Sequence, residues 1–510
     1  MIETGGNKRI ARNTIFLYIR QLFSLFVSLY TVRIVLNVLG VVDYGIYNVV
    51  GGIITMFSFL SSTMATSTQR YLSFELGKNR NISANKVFSM SLNIYVIIIG
   101  IFLFFAETIG LWFLNAKMNI PADRLVAANY VYQSAVFSFV IHIICTPYNA
   151  SIISMERMNV FAYVGIADAI LRLIVALLIP LFAFMDTLIA YAILLLLVTL
   201  LTQLIYVVYC KRKFTFCVYK HYYDKSLFKS MLSFAGWNVV GAISNVLRSQ
   251  GINILINLFF SPAVNAARAI AYQINNAINN FSNNFYTAVR PQITKNYASG
   301  ALQEMNSLIF MSSKLSFFIM LVLMLPISIN GELILQLWLG KVPEYANIFL
   351  QFVLLNALIE VYSMPLVTGI QASGRIRTYQ LIISVIYLLN LPVSYVFLRC
   401  GYPPQITVIV NIAFVVIAIL PRLVICHRCY GLDVMNYLSS VLGRTLIVGC
   451  LSYAVCWKLN TVMTIENSIV SLILSCLSIF LVTCIIVLSI GLTRQERGKI
   501  IKTVCNRIKK

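Results

Sequence analysis

Acidic residues are scarce: the 510-residue chain carries 16 Asp and Glu against 39 Lys and Arg. Charged residues together make up 11% of it, where a soluble domain carries roughly 25%. That shortage excludes a soluble globular protein. Histidine is limited to His142, His221 and His427, scattered too widely for a metal site with Cys or His spacing. Of the eleven cysteines, Cys400 alone falls in a loop expected outside, so no extracellular disulfide framework is available. Cys426-His427-Arg428-Cys429 has the CxxC spacing but no second pair, and reads as incidental. Neither G-x-x-x-x-G-K-S/T, H-E-x-x-H nor G-x-S-x-G occurs, which argues against a P-loop ATPase, a zinc protease and a serine hydrolase. No cofactor or metal is expected.

Apolar length is what the chain has in excess. Hydrophobic residues make up 60% of it, in recurring runs long enough to cross a bilayer. The pattern predicts an all-α polytopic membrane protein with about fourteen transmembrane helices. They lie near 14–40, 44–68, 88–114, 125–151, 160–184, 187–209, 229–259, 263–289, 307–330, 346–371, 379–399, 405–426, 438–458 and 467–491. Lys8, Arg9 and Arg12 precede a first span too long for a signal-peptide core, so that helix is expected to stay. The loops between spans are short, which disfavours an enzyme working at the membrane surface.

The net charge of +23 invites a nucleic-acid reading, and its placement argues against one. Lys117, Arg124, Lys341, Arg399 and Lys458 are the only basic residues in one set of alternate loops. Arg20, Arg33, Arg172, Arg248, Arg268, Lys314 and Arg444 fall within spans. The remainder occupy the other loops and the tails, including Lys211-Arg212-Lys213 and the stretch from Arg494 to Lys510. This asymmetry puts both termini in the cytoplasm. The expected contact is membrane lipid, with no nucleic acid.

One span is written in polar residues. Ser261 to Arg290 holds seven asparagines, one glutamine and two arginines. Asn265, Arg268, Tyr272, Asn276, Asn279, Asn283, Tyr286 and Arg290 recur at steps of three or four, the period of one helix face. Val264, Ala271, Ile274, Ile278, Phe281 and Phe285 form the other. Amides facing lipid are costly, so the stripe is expected to line a wet cavity inside a bundle.

Other spans carry isolated charge. Arg248 lies mid-span near Asn245, where snorkelling is hardest, and is the leading functional candidate. Asp168 and Arg172 stand i,i+4 and are expected to neutralise one another, with gating or coupling as the sharper alternative. Glu360 has no basic residue near it in sequence. It is protonated, paired across helices, or a site for H+ or Na+ coupling. Arg20 and Arg33 in the first span compete between snorkelling and function.

A shift of 220 residues carries Arg70 onto Arg290 and the turn at Val41-Val42-Asp43 onto Ser261-Pro262. Each half opens with a long helix, a tight turn and a polar-striped helix. The repeat predicts two pseudo-symmetric six-helix lobes, 14–209 and 229–426, around a central cavity. A tail (1–13), a basic linker (210–228), two extra C-terminal helices (427–491) and a basic tail (492–510) complete the chain.

Leu39-Gly40-Val41-Val42-Asp43-Tyr44-Gly45-Ile46-Tyr47 resembles the LGxxxYGxY turn of polysaccharide exporters in the multidrug/oligosaccharidyl-lipid/polysaccharide (MOP) superfamily. Arg33 upstream and Gln69-Arg70-Tyr71 downstream fit as well. The resemblance implies a Wzx-type flippase for O-antigen or capsule repeat units in the bacterial cytoplasmic membrane. Its cargo would be a polyprenyl-diphosphate oligosaccharide, specifically undecaprenyl-linked. A polysaccharide polymerase and a chain-length regulator would be its partners. Lipid II flippases of that superfamily place cavity arginines on the diphosphate, and Arg20, Arg33, Arg248 and Arg268 are analogous in kind.

The residues support that cargo separately. Arginine forks suit phosphate oxygens, and the amides of Asn245, Asn265, Asn276, Asn279 and Asn283, with Tyr272, suit sugar hydroxyls. A multidrug cation antiporter of the same superfamily would want unpaired acids instead. A membrane glycan polymerase or ligase, and a scaffold, are the remaining alternatives.

Overall fold

The computed structural model describes residues 2–493 and 496–497, apart from 56, 79, 117, 119, 183–184, 261, 340–341 and 463–468. Lys117, Lys341, Ser261, the start of the last expected span and nearly all of the basic tail therefore lie outside the described residues. No strand occurs among the described residues.

The chain opens with α1 (Ile2–Thr55), turned at Gly40 with φ 78° and ψ 172°. That backbone combination is open essentially only to glycine, and it ends the span Arg9–Gly40. Next come α2 (Ser58–Gly77), α3 (Asn81–Ala116), α4 (Ala122–Ser154), α5 (Met158–Leu181) and α6 (Thr187–Lys213). The second half holds α7 (Lys225–Phe259), α8 (Pro262–Ala298), α9 (Leu302–Ile329) and α10 (Ala346–Ser373). It ends with α11 (Ile376–Arg399), α12 (Ile406–Tyr430), α13 (Val434–Thr461) and α14 (Val470–Gly491).

Among the described residues, twelve helices are long and apolar enough to cross a membrane, where about fourteen were expected. The two expected spans that fall short are the polar-striped ones. The segment at 44–68 is divided between the second arm of α1 and α2. Helix α8 has ample length, 37 residues, but its amides hold its hydropathy down. Helix is present at both places, and apolarity is what is missing.

Polarity is partitioned as lipid demands. Phe26, Phe104, Leu201, Ile254, Leu420 and Ile473 are exposed, while Ser67, Thr68, Ser89, Ser151, Asn390 and Ser394 are buried. Lipid tails are as apolar as leucine, so helices in a bilayer are held by close packing of small residues and by hydrogen bonds. Tyr132 OH donates to the Ala106 carbonyl at 2.7 Å, and Ser73 Oγ donates to Ser154 Oγ at 3.0 Å.

The chain divides into two compact units, Arg9–Val239 and a second from Val240 onward. In the first, α4 packs along α6 and against α2 and α3. Phe88, Tyr95, Phe102 and Tyr132 are fully enclosed there. The stretch after α6 is held by side chains rather than hanging as a tether. Asn85 Nδ2 donates to the carbonyls of Phe216 (2.9 Å) and Val218 (2.6 Å), and Asn93 Nδ2 to that of Tyr222 (3.0 Å). The first part of α7 also belongs to this unit, with Met231, Phe234 and Ala235 buried. In the second unit α8 packs on α9 and α10, α12 packs on α10 and α11, and α13 and α14 pack on α9.

Arg124 ties three parts of the first unit together. Its Nε donates to Asp43 Oδ1 at 2.8 Å, its Nη2 to Asp43 Oδ2, and its Nη1 to Asp186 Oδ2 at 2.5 Å. Asp186 also caps α6, accepting from the Leu188 and Ile189 N–H groups at 3.0 and 3.2 Å. Burial pushes the Asp186 carboxyl up, but the Arg124 guanidinium and the two N–H groups outweigh it and hold the group below the usual range. A lowered folded pKa gives stability that is present above the unfolded value of about 3.9 and lost as pH falls through the folded one. Arg124→Ala is expected to cost about 1–2 kcal/mol at pH 7, between an exposed and a buried pair. Thermal unfolding in detergent should show that gap closing below pH of about 4. Equal melting temperatures at pH 7 would contradict the clamp.

Candidate functional site

A cavity of about 780 Å³ opens within the second unit, walled by α7, α8, α10, α11 and α12. Its position follows from where these helices carry their few polar side chains. Helix α7 brings Asn245, Arg248 and Asn253; α8 brings Arg268, Tyr272, Asn275 and Asn276. Helix α10 adds Asn356 and Glu360, α11 adds Asn390, and α12 adds Asn411.

Arg248 is the most bonded of these groups. Its Nη1 donates to Asn411 Oδ1 at 3.0 Å and its Nη2 to Asn245 Oδ1 at 2.7 Å. Its guanidinium lies 4.3 Å above the Tyr387 ring. Asn411 Nδ2 then donates to Asn356 Oδ1 at 2.9 Å, and Asn356 Nδ2 to Glu360 Oε2 at 3.3 Å. Every bond in this relay points the same way, from the cation on α7 through α12 to the anion on α10. Aligned bonds of this kind polarise and strengthen one another in a low dielectric. Glu360 Oε1 closes the circuit 3.8 Å from Arg248 Nη2.

Arg268 sits deeper, with 6% of its surface exposed. Its guanidinium lies 4.5 Å above the Tyr272 ring, and its Nη1 donates to Asn253 Oδ1. Asn265 Nδ2 donates to the Asn253 carbonyl at 2.9 Å, securing the start of α8 against α7. Arg268 Nε, Asn265 Oδ1 and Asn275 Oδ1 are buried without a protein partner.

The structure gathers Arg248, Arg268, Asn245, Tyr272, Asn276 and Glu360 around one cavity. Asn265 stands beside it through Asn253. Asn279 and Asn283 lie farther along α8 and are not among its lining residues; Asn279 is half-buried and Asn283 exposed. The expected polar stripe of α8 is also not uniformly wet. Its exposed line is Ala269, Gln273, Asn276, Asn280 and Asn283, while Arg268 and Tyr286 are buried. Glu360, without a basic neighbour in sequence, has one in space in Arg248. The two stand 3.8 Å apart across α7 and α10.

Arg20 and Arg33 belong to the first unit. The Arg20 guanidinium stacks 4.7 Å from the Phe161 ring and its Cδ lies against Gly165, whereas Arg33 is exposed. Asp168 and Arg172 pair within α5 at 2.8 Å, as their spacing predicts. No group of three or more His, Cys, Asp or Glu able to hold a metal occurs among the described residues.

Arg422, absent from the basic residues counted within spans, lies inside α12 and is fully enclosed. It donates to the hydroxyls of Tyr387 (2.6 Å) and Tyr379 (3.2 Å). Tyr387 therefore has one guanidinium on its hydroxyl and another on its ring. Asn356, Asn390 and Asn411 were missed because each is a single amide in an apolar span. Asn356 stands four residues before Glu360, the one spacing that could have flagged it.

Residues 10–297 match the family described as Polysaccharide biosynthesis protein, and residues 239–396 match MatE. No curated protein matches the chain. Solved structures with similar folds include MATE in the bent conformation, at TM-score 0.72 and 14% identity, covering 83% of this chain and 96% of that one. An outward-facing multidrug resistance MATE family transporter of the MOP superfamily matches at TM-score 0.71 and 14% identity, covering 84% and 98%. A MOP superfamily transporter from Pyrococcus furiosus, described by the reverse polarity of its binding pocket, matches at 0.68 and 14%, covering 82% and 96%. At these identities the likeness is one of fold.

The relay yields a direct expectation. Asn411→Ala removes the acceptor of Arg248 and Asn390 and the donor to Asn356, and should destabilise by about 2–3 kcal/mol. A double-mutant cycle with Arg248→Ala, read by unfolding in detergent, should show coupling of about 1 kcal/mol or more. Additivity within about 0.3 kcal/mol would mean the two do not communicate.

Proposed function

The chain belongs to the Polysaccharide biosynthesis protein family, within the MOP superfamily of membrane transporters, and on that premise we propose that it is a lipid-linked oligosaccharide flippase. Its cargo in this reading is a polyprenyl-diphosphate oligosaccharide, undecaprenyl-linked. It would be carried from the inner to the outer leaflet of the bacterial cytoplasmic membrane for O-antigen, capsule or exopolysaccharide synthesis. Both termini are cytoplasmic in this arrangement, and a polysaccharide polymerase and chain-length regulator act downstream.

The observation that carries the reading is the charge balance of the cavity. Two guanidiniums, Arg248 and Arg268, line it with a third, Arg422, behind Tyr387, and one carboxylate, Glu360, answers them. Such a site suits an anion. Arginine meets phosphate oxygens with a planar fork of donors, and Arg268 Nε has no protein partner. The surrounding amides of Asn245, Asn253, Asn275 and Asn276 offer donors and acceptors to sugar hydroxyls without demanding one sugar. A multidrug cation would meet the wrong sign of charge here.

In this mechanism Arg248 and Arg268 grip the diphosphate, the amide wall accepts the glycan, and the prenyl tail stays in the bilayer. Access alternates between the two faces of the membrane. Moving an anion outward across an inside-negative membrane is favourable by about 2.3 kcal/mol per charge per 100 mV, so the potential itself can drive export. A coupled H+ or Na+ would act at Glu360.

The test uses proteoliposomes loaded with polyprenyl-diphosphate oligosaccharide, following the glycan that an external enzyme can reach. Protein-dependent exposure is expected, and Arg248→Ala and Arg268→Ala should each slow it about tenfold or more, the scale of one lost charge-assisted hydrogen bond. Exposure no greater than in empty vesicles, or undiminished in both variants, would refute the proposal.

A further inference from the structure

Glu360 is an odd partner for Arg248. Where ion pairs elsewhere in the chain are tight, as in Arg172–Asp168 at 2.8 Å and Arg9–Glu156 at 2.5 Å, this one is open at 3.8 Å. Charge-assisted bonds between arginine and a carboxylate normally close to about 2.7–2.9 Å. Arg248 is well held without it, by Asn245, Asn411 and the Tyr387 ring. Glu360 is held by little: it accepts one bond from Asn356, at 3.3 Å, and its side chain is 35% exposed. Fixed cation and loose anion line the same cavity.

The geometry points to Glu360 as a built-in competitor, a tethered anion that balances Arg248 when no cargo is bound and that a cargo phosphate must displace. The inference rests on the reading of the cavity as an anion site and adds how that site lets go. An unopposed arginine pair would hold a diphosphate tightly and release it slowly. A carboxylate on a neighbouring helix repels the bound phosphate and returns to the guanidinium as the cargo leaves. The relay through Asn411 and Asn356 keeps Glu360 within reach of Arg248 without locking it there. Glu360 is thus a specificity-setting residue acting on affinity, and its removal should tighten binding. For a purely structural ion pair, removal would loosen the site.

The experiment is calorimetric titration of the detergent-purified full chain with geranyl diphosphate and, separately, inorganic pyrophosphate, which distinguishes a prenyl-linked from a free diphosphate. Glu360→Gln, which keeps the side chain's shape, and Glu360→Ala as a second variant should each tighten binding about tenfold, the effect of removing a like charge from beside the anion. On an Arg248→Ala background the same substitutions should tighten binding by clearly less, because the competition for that guanidinium is gone and only the repulsion of the anion held by Arg268 remains. Unchanged or weaker affinity in both single variants, with wild type still binding, overturns the competitor role and leaves the anion site standing. No binding of either probe by wild type or variants overturns this inference together with the functional reading.

Discussion

A guanidinium inside a membrane-spanning bundle is stable only if every donor it carries finds an acceptor or water, because hydrocarbon offers neither. Arg248 imposes that condition on the second unit. It draws an acceptor from its own helix in Asn245, another from α12 in Asn411, and an aromatic face from α11 in Tyr387. Asn411 is in turn oriented by Asn356 and Asn390, and Asn390 Oδ1 accepts from Ser394 at 3.1 Å. Four helices are thereby fixed in register around one charge. The cavity and its polarity are consequences of solvating that charge from within.

The same constraint explains the division of labour among helices. Those that present leucine, isoleucine and phenylalanine outward need only small buried residues to pack, and they form most of both units. Helix α8 has the contrary composition and the contrary placement, packed against α9 and α10 on its Val264, Ala271, Ile278 and Phe285 face. Its opposite line of amides is left exposed. A helix of this kind is not built to face lipid, and its presence in the bundle is what gives the cavity a polar wall.

Much of this was legible in the chain itself. Helical fold, approximate spans, the polar face of α8 and the candidacy of Arg248, Arg268 and Glu360 all follow from periodicity and from the cost of charge in lipid. What was hidden is pairing, since periodicity describes one helix at a time. Glu360 on α10 and Arg248 on α7 are 112 positions apart, and nothing local links them. Arg422 was hidden for a different reason: it lies inside the expected span 405–426 but only four residues from its end, where a cation can reach the interface, and only packing encloses it with two tyrosines. The two polar-striped spans also account for the difference between about fourteen expected spans and twelve apolar ones, because amides and hydroxyls lower a helix's hydropathy without ending the helix.

The most direct measurement is an electron cryomicroscopy structure of the full chain in lipid nanodiscs with undecaprenyl-diphosphate oligosaccharide bound. The account predicts diphosphate density between Arg248 and Arg268, glycan density along Asn253, Asn275 and Asn276, and Glu360 moved away from Arg248. Diphosphate density away from both arginines, with Glu360 still facing Arg248, would contradict it.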